Sequence, residues 1–280
     1  MRIALTGQSG FTGTHVARAI RDAGHEPVPL ACDLSDREAT EQAVENAKFD
    51  RLIHLAAHAF VARDDWAPFY EINQLGTLGL LAAVARFQPG TRCIVASSAQ
   101  IYGAQTSGIV NEDVPANPLN HYAIGKYAME LGAAQFCPLL DIVLARPFNY
   151  TGVGQSEEYL VPKIVAHFRR RDPKIQLGNT WVRRDFGDVR SVAQAYVGLA
   201  LAEEIPRVVN ICTGTVSSID EIIGELSYIS GHDIAVEVDP ALVRPNDVEE
   251  LGGDPARLRA YLPQWRPRPL ADTLRWMYEA

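Results

Sequence analysis

The sequence predicts an α/β protein, a doubly wound parallel sheet with helices on both faces and a smaller C-terminal lobe. Three observations predict it. Short β-branched or apolar runs alternate with longer segments of helical periodicity. Each strand-plus-helix unit is long enough for a right-handed crossover. The rhythm then changes after residue 150, which divides the chain into residues 1–150 and a smaller lobe, 151–280, that returns segments near 185–212 to the sheet.

The strands expected, in order, are Arg2–Thr6, Glu26–Leu30, Arg51–Leu55, Arg92–Ser97 and Asp141–Arg146. Helical patterns fall between them at Gly10–Asp22, Asp36–Ala47, Pro68–Arg86 and His121–Phe136. Beyond residue 150 a glycine-bearing loop precedes a basic amphipathic helix, Val161–Arg171. A helix near Val192–Ala202 and a strand, Arg207–Ile211, follow. Ser218 and Glu221 have capping-box spacing and open a further helix.

Composition sets the outer limits. At 280 residues, 47% hydrophobic and 21% charged, the chain has ample material for a core. No stretch approaches the roughly 18 apolar residues needed to span a bilayer, so no membrane partner is expected. The apolar run before Gly7 is too short for a signal peptide and reads as the first strand. Cys32, Cys93, Cys137 and Cys212 are scattered and form no C-x-x-C pair. A reduced cytoplasmic protein without a zinc site is expected. His54 and His58 stand four apart, but a strand ending Leu-Ala-Ala does not put them on one helix face, so no metal is expected there either. The net charge of −8 argues against nucleic acid, yet a few arginines can still hold a small phosphate locally.

Thr6-Gly7-Gln8-Ser9-Gly10-Phe11-Thr12-Gly13 follows the first strand and opens the first helix. Gly7 permits the tight turn, Gly10 lets backbone approach a pyrophosphate, and Gly13 lets helix pack on sheet. The helix N-terminus offers unsatisfied N–H groups to phosphate, as in a Rossmann dinucleotide site. Leu55, Ala56 and Ala57, at the end of the third strand, would line such a cofactor with small side chains.

Tyr122 and Lys126 stand at i and i+4 on one helix face. Upstream, Ser98 falls at the carboxyl edge of the sheet, where ligands of open α/β sheets bind. A phenol titrating near 10 is a poor catalyst at neutral pH. A nearby ammonium and a cationic cofactor would lower it, Ser98 would hold a substrate oxygen, and Lys126 would reach the nicotinamide ribose.

These features resemble the extended short-chain dehydrogenases of the NAD-dependent epimerase/dehydratase family, almost end to end. The glycine spacing is that family's variant. Asn73 matches its helix asparagine, Arg146-Pro147-Phe148-Asn149 with Gly152 and Gly154 its R-P-F-N…G-x-G, and Arg184-Asp185-Phe186 with Asp188-Val189 its R-D-F-x-D-V. The resemblance implies cofactor contacts from Phe11, Thr12, Asp33, Leu34, Asn73 and Pro147. It also implies a homodimer through Pro68–Arg86 and His121–Phe136, where Leu75, Leu78, Leu81, Ile124, Met129 and Leu131 exceed one buried stripe.

Gly154-Gln155-Ser156, Gly178-Asn179 and Leu242–Val248 are similar to the reductases of 4-keto-6-deoxy nucleotide sugars. That similarity implies Asn149, Arg184 and Arg244 on the diphosphate and neighbouring groups, with Asp247 on a ribose hydroxyl or orienting Arg244. Arg183 reads as a surface charge. Family dehydratases carry acidic groups directly after the Ser or Thr, whereas Ala99 and Gln100 stand here, so dehydration is disfavoured. The cofactor expected is NAD(P)(H), leaning to NADP(H) by the same similarity. Three activities compete: a 4-ketoreductase using Tyr122 as proton donor, a C4 epimerase with tightly bound NAD, and a non-catalytic NAD(P)-binding regulatory protein.

Overall fold

The computed structural model describes residues 1–59, 65–103, 108–243 and 249–280. A six-stranded parallel sheet forms its centre: β1 (Arg2–Thr6), β2 (Glu26–Pro29), β3 (Arg51–His54), β4 (Arg92–Ala96), β5 (Asp141–Pro147) and β6 (Val208–Ile211). Spatially the order is β6-β5-β4-β3-β1-β2, so the chain moves outward from β1 to β2 and then crosses back to β3. That reversal makes the β1/β3 boundary the topological switch point, where ligands of such sheets bind.

Alternation along each strand explains why both faces are covered. Ile3, Leu5, Ile53, Ile94 and Val143 face α1 (Phe11–Asp22) and α7 (Val189–Leu201). Ala4, Leu52, Cys93, Val95 and Leu144 face the opposite helices. These are α2 (Arg37–Asn46), α4 (Thr77–Phe87) and α5 (His121–Ala133). Strands buried on both sides need apolar residues on both faces, as the middle residues of β1, β3, β4 and β5 provide.

A separate core joins α6 (Leu160–Arg170), α8 (Ile219–Ser230) and the C-terminal helix Leu270–Glu279 through Ile164, Phe168, Ile222, Leu226, Leu274 and Met277. The reciprocal bonds between Ser218 and Glu221 cap α8 as expected.

Two local departures matter for the site. The third strand stops at His54 instead of Leu55, because β1 has ended and the Thr6 hydroxyl takes over as acceptor for the amides of Leu55 and Ala56. The expected helix Pro68–Arg86 is broken into α3 (Ala67–Tyr70), a π-turn Glu71–Gly76, and α4. The widened turn directs Asn73 inward and lets Gly76 touch Leu34, where a Cβ would sit 2.8 Å from the Leu34 Cβ.

Candidate active site

The glycine loop sits at the switch point. Gly7 has φ +67°, and a Cβ there would lie 2.9 Å from the Ala56 nitrogen. At Gly13 a Cβ would come within 2.0 Å of the Gly7 carbonyl oxygen, so only glycine lets α1 sit so close to the loop. Gly10 caps α1 without a side-chain bond, and no acidic residue occupies the first turn. Phe11 stacks on Tyr150 at 6.2 Å between centroids, and the Thr12 and Tyr150 hydroxyls are 2.8 Å apart.

At the same edge β4 delivers Ser98. Its Oγ accepts the Gln100 amide at 3.1 Å, capping the short helix Ala99–Tyr102. This leaves the Ser98 proton to be donated outward. α5 brings Tyr122, which lies beside Ser98 and packs edge-on against Phe69. One turn on, the Lys126 ammonium donates to the Ala96 carbonyl at 2.8 Å.

Asn120 holds the start of this helix, accepting the Ala123 amide with Oδ1 and donating from Nδ2 to Gln100. The amide side chain at the position after Ala99 therefore joins the Ser98 turn to the Tyr122 helix.

Burial dominates the electrostatics. It pushes the Tyr122 phenol up to about 12, opposed by Ser98. It pushes Lys126 down to about 8, opposed by Glu130. For the phenol, burial outweighs what its protein neighbours return, because removing the phenolate from water is costly.

The remaining expected residues are placed as follows. Asn73 is fully buried and spends both ends of its amide on His58, accepting its N–H at 2.7 Å and donating to its carbonyl at 2.8 Å. It therefore shapes the segment after β3. Asp33 is tied to Ser35, Leu34 is buried, and Pro147 ends β5. Asn149 is exposed on a short strand, Asn149–Thr151, that pairs with Phe186–Asp188. The half-buried Arg184 donates to the Arg183 carbonyl at 2.8 Å, and Arg183 pairs with Glu221 and Glu250. Asp185, fully buried, accepts from Thr213 and Gly214. Arg244 and Asp247 lie outside the described residues.

Among the expected dimer residues, Leu81 and Met129 point into the core and Leu78 is half-buried, leaving Leu75, Ile124 and Leu131 exposed. Among the described residues no group of acidic, His or Cys side chains could hold a metal, and no helix is long and apolar enough to cross a membrane.

Sequence reasoning passed over two buried groupings. Arg146 makes a two-pronged pair with Glu130 and donates to Tyr102, which donates to Asn210. His54 bridges Thr6 and Thr77. Arg146 lies in a matched motif and His54 reads from the sequence only as a candidate metal ligand, while their partners are 16 to 108 residues away in the chain.

The residues present fit a nicotinamide dinucleotide. The α1 N-terminus has no side-chain cap, a Cβ at Gly10 would crowd the Gly7 carbonyl oxygen at 3.3 Å, and the buried Ser97 Oγ just past β4 lacks a hydrogen-bond partner. A glycine turn at the switch point and the Ser98, Tyr122 and Lys126 side chains at the same sheet edge accord with the class that the comparisons show: an NAD(P)-dependent oxidoreductase of the extended short-chain dehydrogenase type. Within that class the chain belongs to the GDP-mannose 4,6 dehydratase family, whose model matches residues 28–276.

It is 32% identical over 266 residues to GDP-6-deoxy-D-talose 4-dehydrogenase of Aggregatibacter actinomycetemcomitans, covering 92% of this chain and 90% of the relative. Similarity to GDP-6-deoxy-D-mannose reductase of Pseudomonas aeruginosa is 32% over 283 residues, covering 95% and 92%. The structure of RMD from P. aeruginosa complexed with NADPH superposes with a TM-score of 0.91 at 28% identity, covering 99% of this chain and 97% of that one.

Proposed function

We propose that the protein is an NADPH-dependent reductase of a GDP-4-keto-6-deoxy sugar. One observation carries the reading: Tyr122 is buried beside Ser98 at the carboxyl edge of the sheet, and burial raises its phenol so that it holds its proton at neutral pH. A group in that state is suited to give a proton to a nascent alkoxide. Bound NADPH would supply the hydride to C4. Ser98, its Oγ already accepting from Gln100, donates to the substrate oxygen and holds it in line with the phenol. Tyr122 Oη releases its proton to that oxygen. Lys126, fixed on the Ala96 carbonyl, keeps a positive charge one turn below and stabilises the phenolate left behind.

Both GDP-sugar relatives support the substrate class. Their family is named for a dehydratase, but Ala99 is apolar and Gln100 is an amide occupied with Asn120, so neither can move the protons of water elimination. The lean to NADPH rests on the NADPH complex of the similar P. aeruginosa protein. Asn149 and Arg184, with Arg244 and Asp247, are assigned to the nucleotide diphosphate and ribose; Leu75, Ile124 and Leu131 are assigned to a homodimer face. The four free thiols accord with a cytoplasmic enzyme.

The test is NADPH oxidation with GDP-4-keto-6-deoxymannose. Tyr122→Phe should lower kcat about 100-fold or more while NADPH still binds. A variant within a few-fold of wild type would remove Tyr122 from the chemistry. Stoichiometric NAD released from denatured wild-type protein would favour a C4 epimerase instead.

A further inference from the structure

Thr6 and His54 are register partners on adjacent strands, so their side chains stand together on one face of the sheet. The Thr6 hydroxyl accepts two amides, Leu55 and Ala56, each at 3.1 Å. Its two lone pairs are thereby filled, and its single proton is left for the His54 Nδ1 at 2.7 Å. Nδ1 must therefore be bare, which places the ring proton on Nε2. Nε2 lies 2.9 Å from the Thr77 hydroxyl, and that hydroxyl in turn donates to the Asn73 carbonyl at 2.8 Å.

Every proton in the chain Thr6–His54–Thr77–Asn73 is fixed by counting. A charged imidazole has no place in it, since Thr6 would need a third lone pair. His54 is also fully out of water and faces the charge of Lys126, and these effects push it down to about 3.

The two ends of this chain bracket the cofactor cradle. At one end Thr6 holds the amides of Leu55 and Ala56, against which Gly7 turns. At the other end Asn73 grips the backbone of His58. The segment 55–58 is thus pinned at its start from β1 and at its finish from the π-turn, with the imidazole joining the pins.

We infer that His54, as the neutral Nε2-protonated tautomer, is a positioning residue that sets the segment 55–58 at one height against the glycine loop and so pre-forms the nicotinamide-dinucleotide site. This rests on the cofactor reading above. It assigns His54 no contact with substrate or cofactor. Pre-formed sites bind more tightly because ordering is not deferred to the binding step.

The test begins with the wild-type protein carrying 15N-labelled histidine. Its spectrum should show one ring with a bare Nδ1, a protonated Nε2 protected from exchange, and no titration between pH 5 and 8. An Nδ1-protonated or titrating ring at this position would overturn the inference whether or not any variant folds. His54→Phe keeps the shape and removes both bonds; Thr77→Val breaks the same chain from the helix side.

Each should raise the Kd for NADPH, measured by fluorescence titration, about ten-fold, and His54→Gln should restore part of the loss. The two effects should be non-additive in the double variant, as for members of one network. In folded variants the KM for the sugar nucleotide should stay within about two-fold. Unchanged NADPH affinity in folded His54→Phe, with only thermal stability lost, would make His54 a plain core residue. Failure of wild-type protein to bind NADPH or NADH would instead defeat the cofactor reading itself, so the two failures are distinguishable.

Discussion

Glu130→Gln isolates the energetics beneath the active-site helix. The Glu130 and Arg146 side chains are 4% and 8% exposed and meet through two bonds, 2.9 and 2.7 Å long. The substitution removes the only anion touching the guanidinium among the described residues. One carboxylate oxygen becomes an NH2 group aimed at another donor, and Arg146 retains the Tyr102 hydroxyl at 3.0 Å. Breaking a buried pair from one side costs about 3–5 kcal/mol, because the remaining charge stays out of water. Against a total stability of about 5–15 kcal/mol, that is a large share. The melting temperature should fall on the order of 10 °C.

Urea unfolding followed by circular dichroism measures the loss directly, and Glu130→Met combined with Arg146→Met should recover most of it. A second readout is chemical. Glu130 holds Lys126 up against burial, so its removal should lower the Lys126 pKa further below 8 and shift the alkaline limb of the pH–rate profile toward neutrality. A loss under about 1 kcal/mol, with no recovery in the double variant, would refute the reasoning.

Arg184→Ala should raise the KM for the sugar nucleotide about ten-fold with kcat nearly unchanged; a lower melting temperature with the same KM would mark it as structural. Lys126 sits at about 8 when folded against 10.5 unfolded, so its charged form opposes folding below pH 8 and this cost fades as pH rises. Unfolding free energies between pH 8 and 10 should therefore rise more steeply in wild type than in Lys126→Met. Light scattering at micromolar concentration should give a dimer for wild type and a monomer for Leu131→Glu, since Leu131 is 56% exposed; a monomeric wild type would refute the dimer face.

The fold was legible because alternation and helical spacing persist along the first half of the chain. The β1 to β5 strands begin at the expected residues and end within one of the expected ends. The π-turn at Glu71–Gly76 was not legible, since one residue of slip leaves the apolar spacing on either side intact. Leu81 and Met129 looked like surplus interface residues because a sequence cannot say which face of a helix meets the sheet. Ser98, Tyr122 and Lys126 could be found because their spacing encodes one helix face and one sheet edge. His54 could not, since its partners Thr6 and Thr77 stand 48 and 23 residues away and become neighbours only through strand pairing and helix docking.

The first helix ends at Gly10 with no side chain tending its exposed amides. On the proposed reading, a bound pyrophosphate completes that helix, so the dinucleotide is part of the folded structure as well as a reagent. At a free concentration one hundred times its dissociation constant, a ligand adds about 2.7 kcal/mol to stability. When the nucleotide runs low, the protein should unfold and be degraded faster. Its abundance in the cell would then follow the supply of its reductant, with no regulator beyond an uncapped turn of helix.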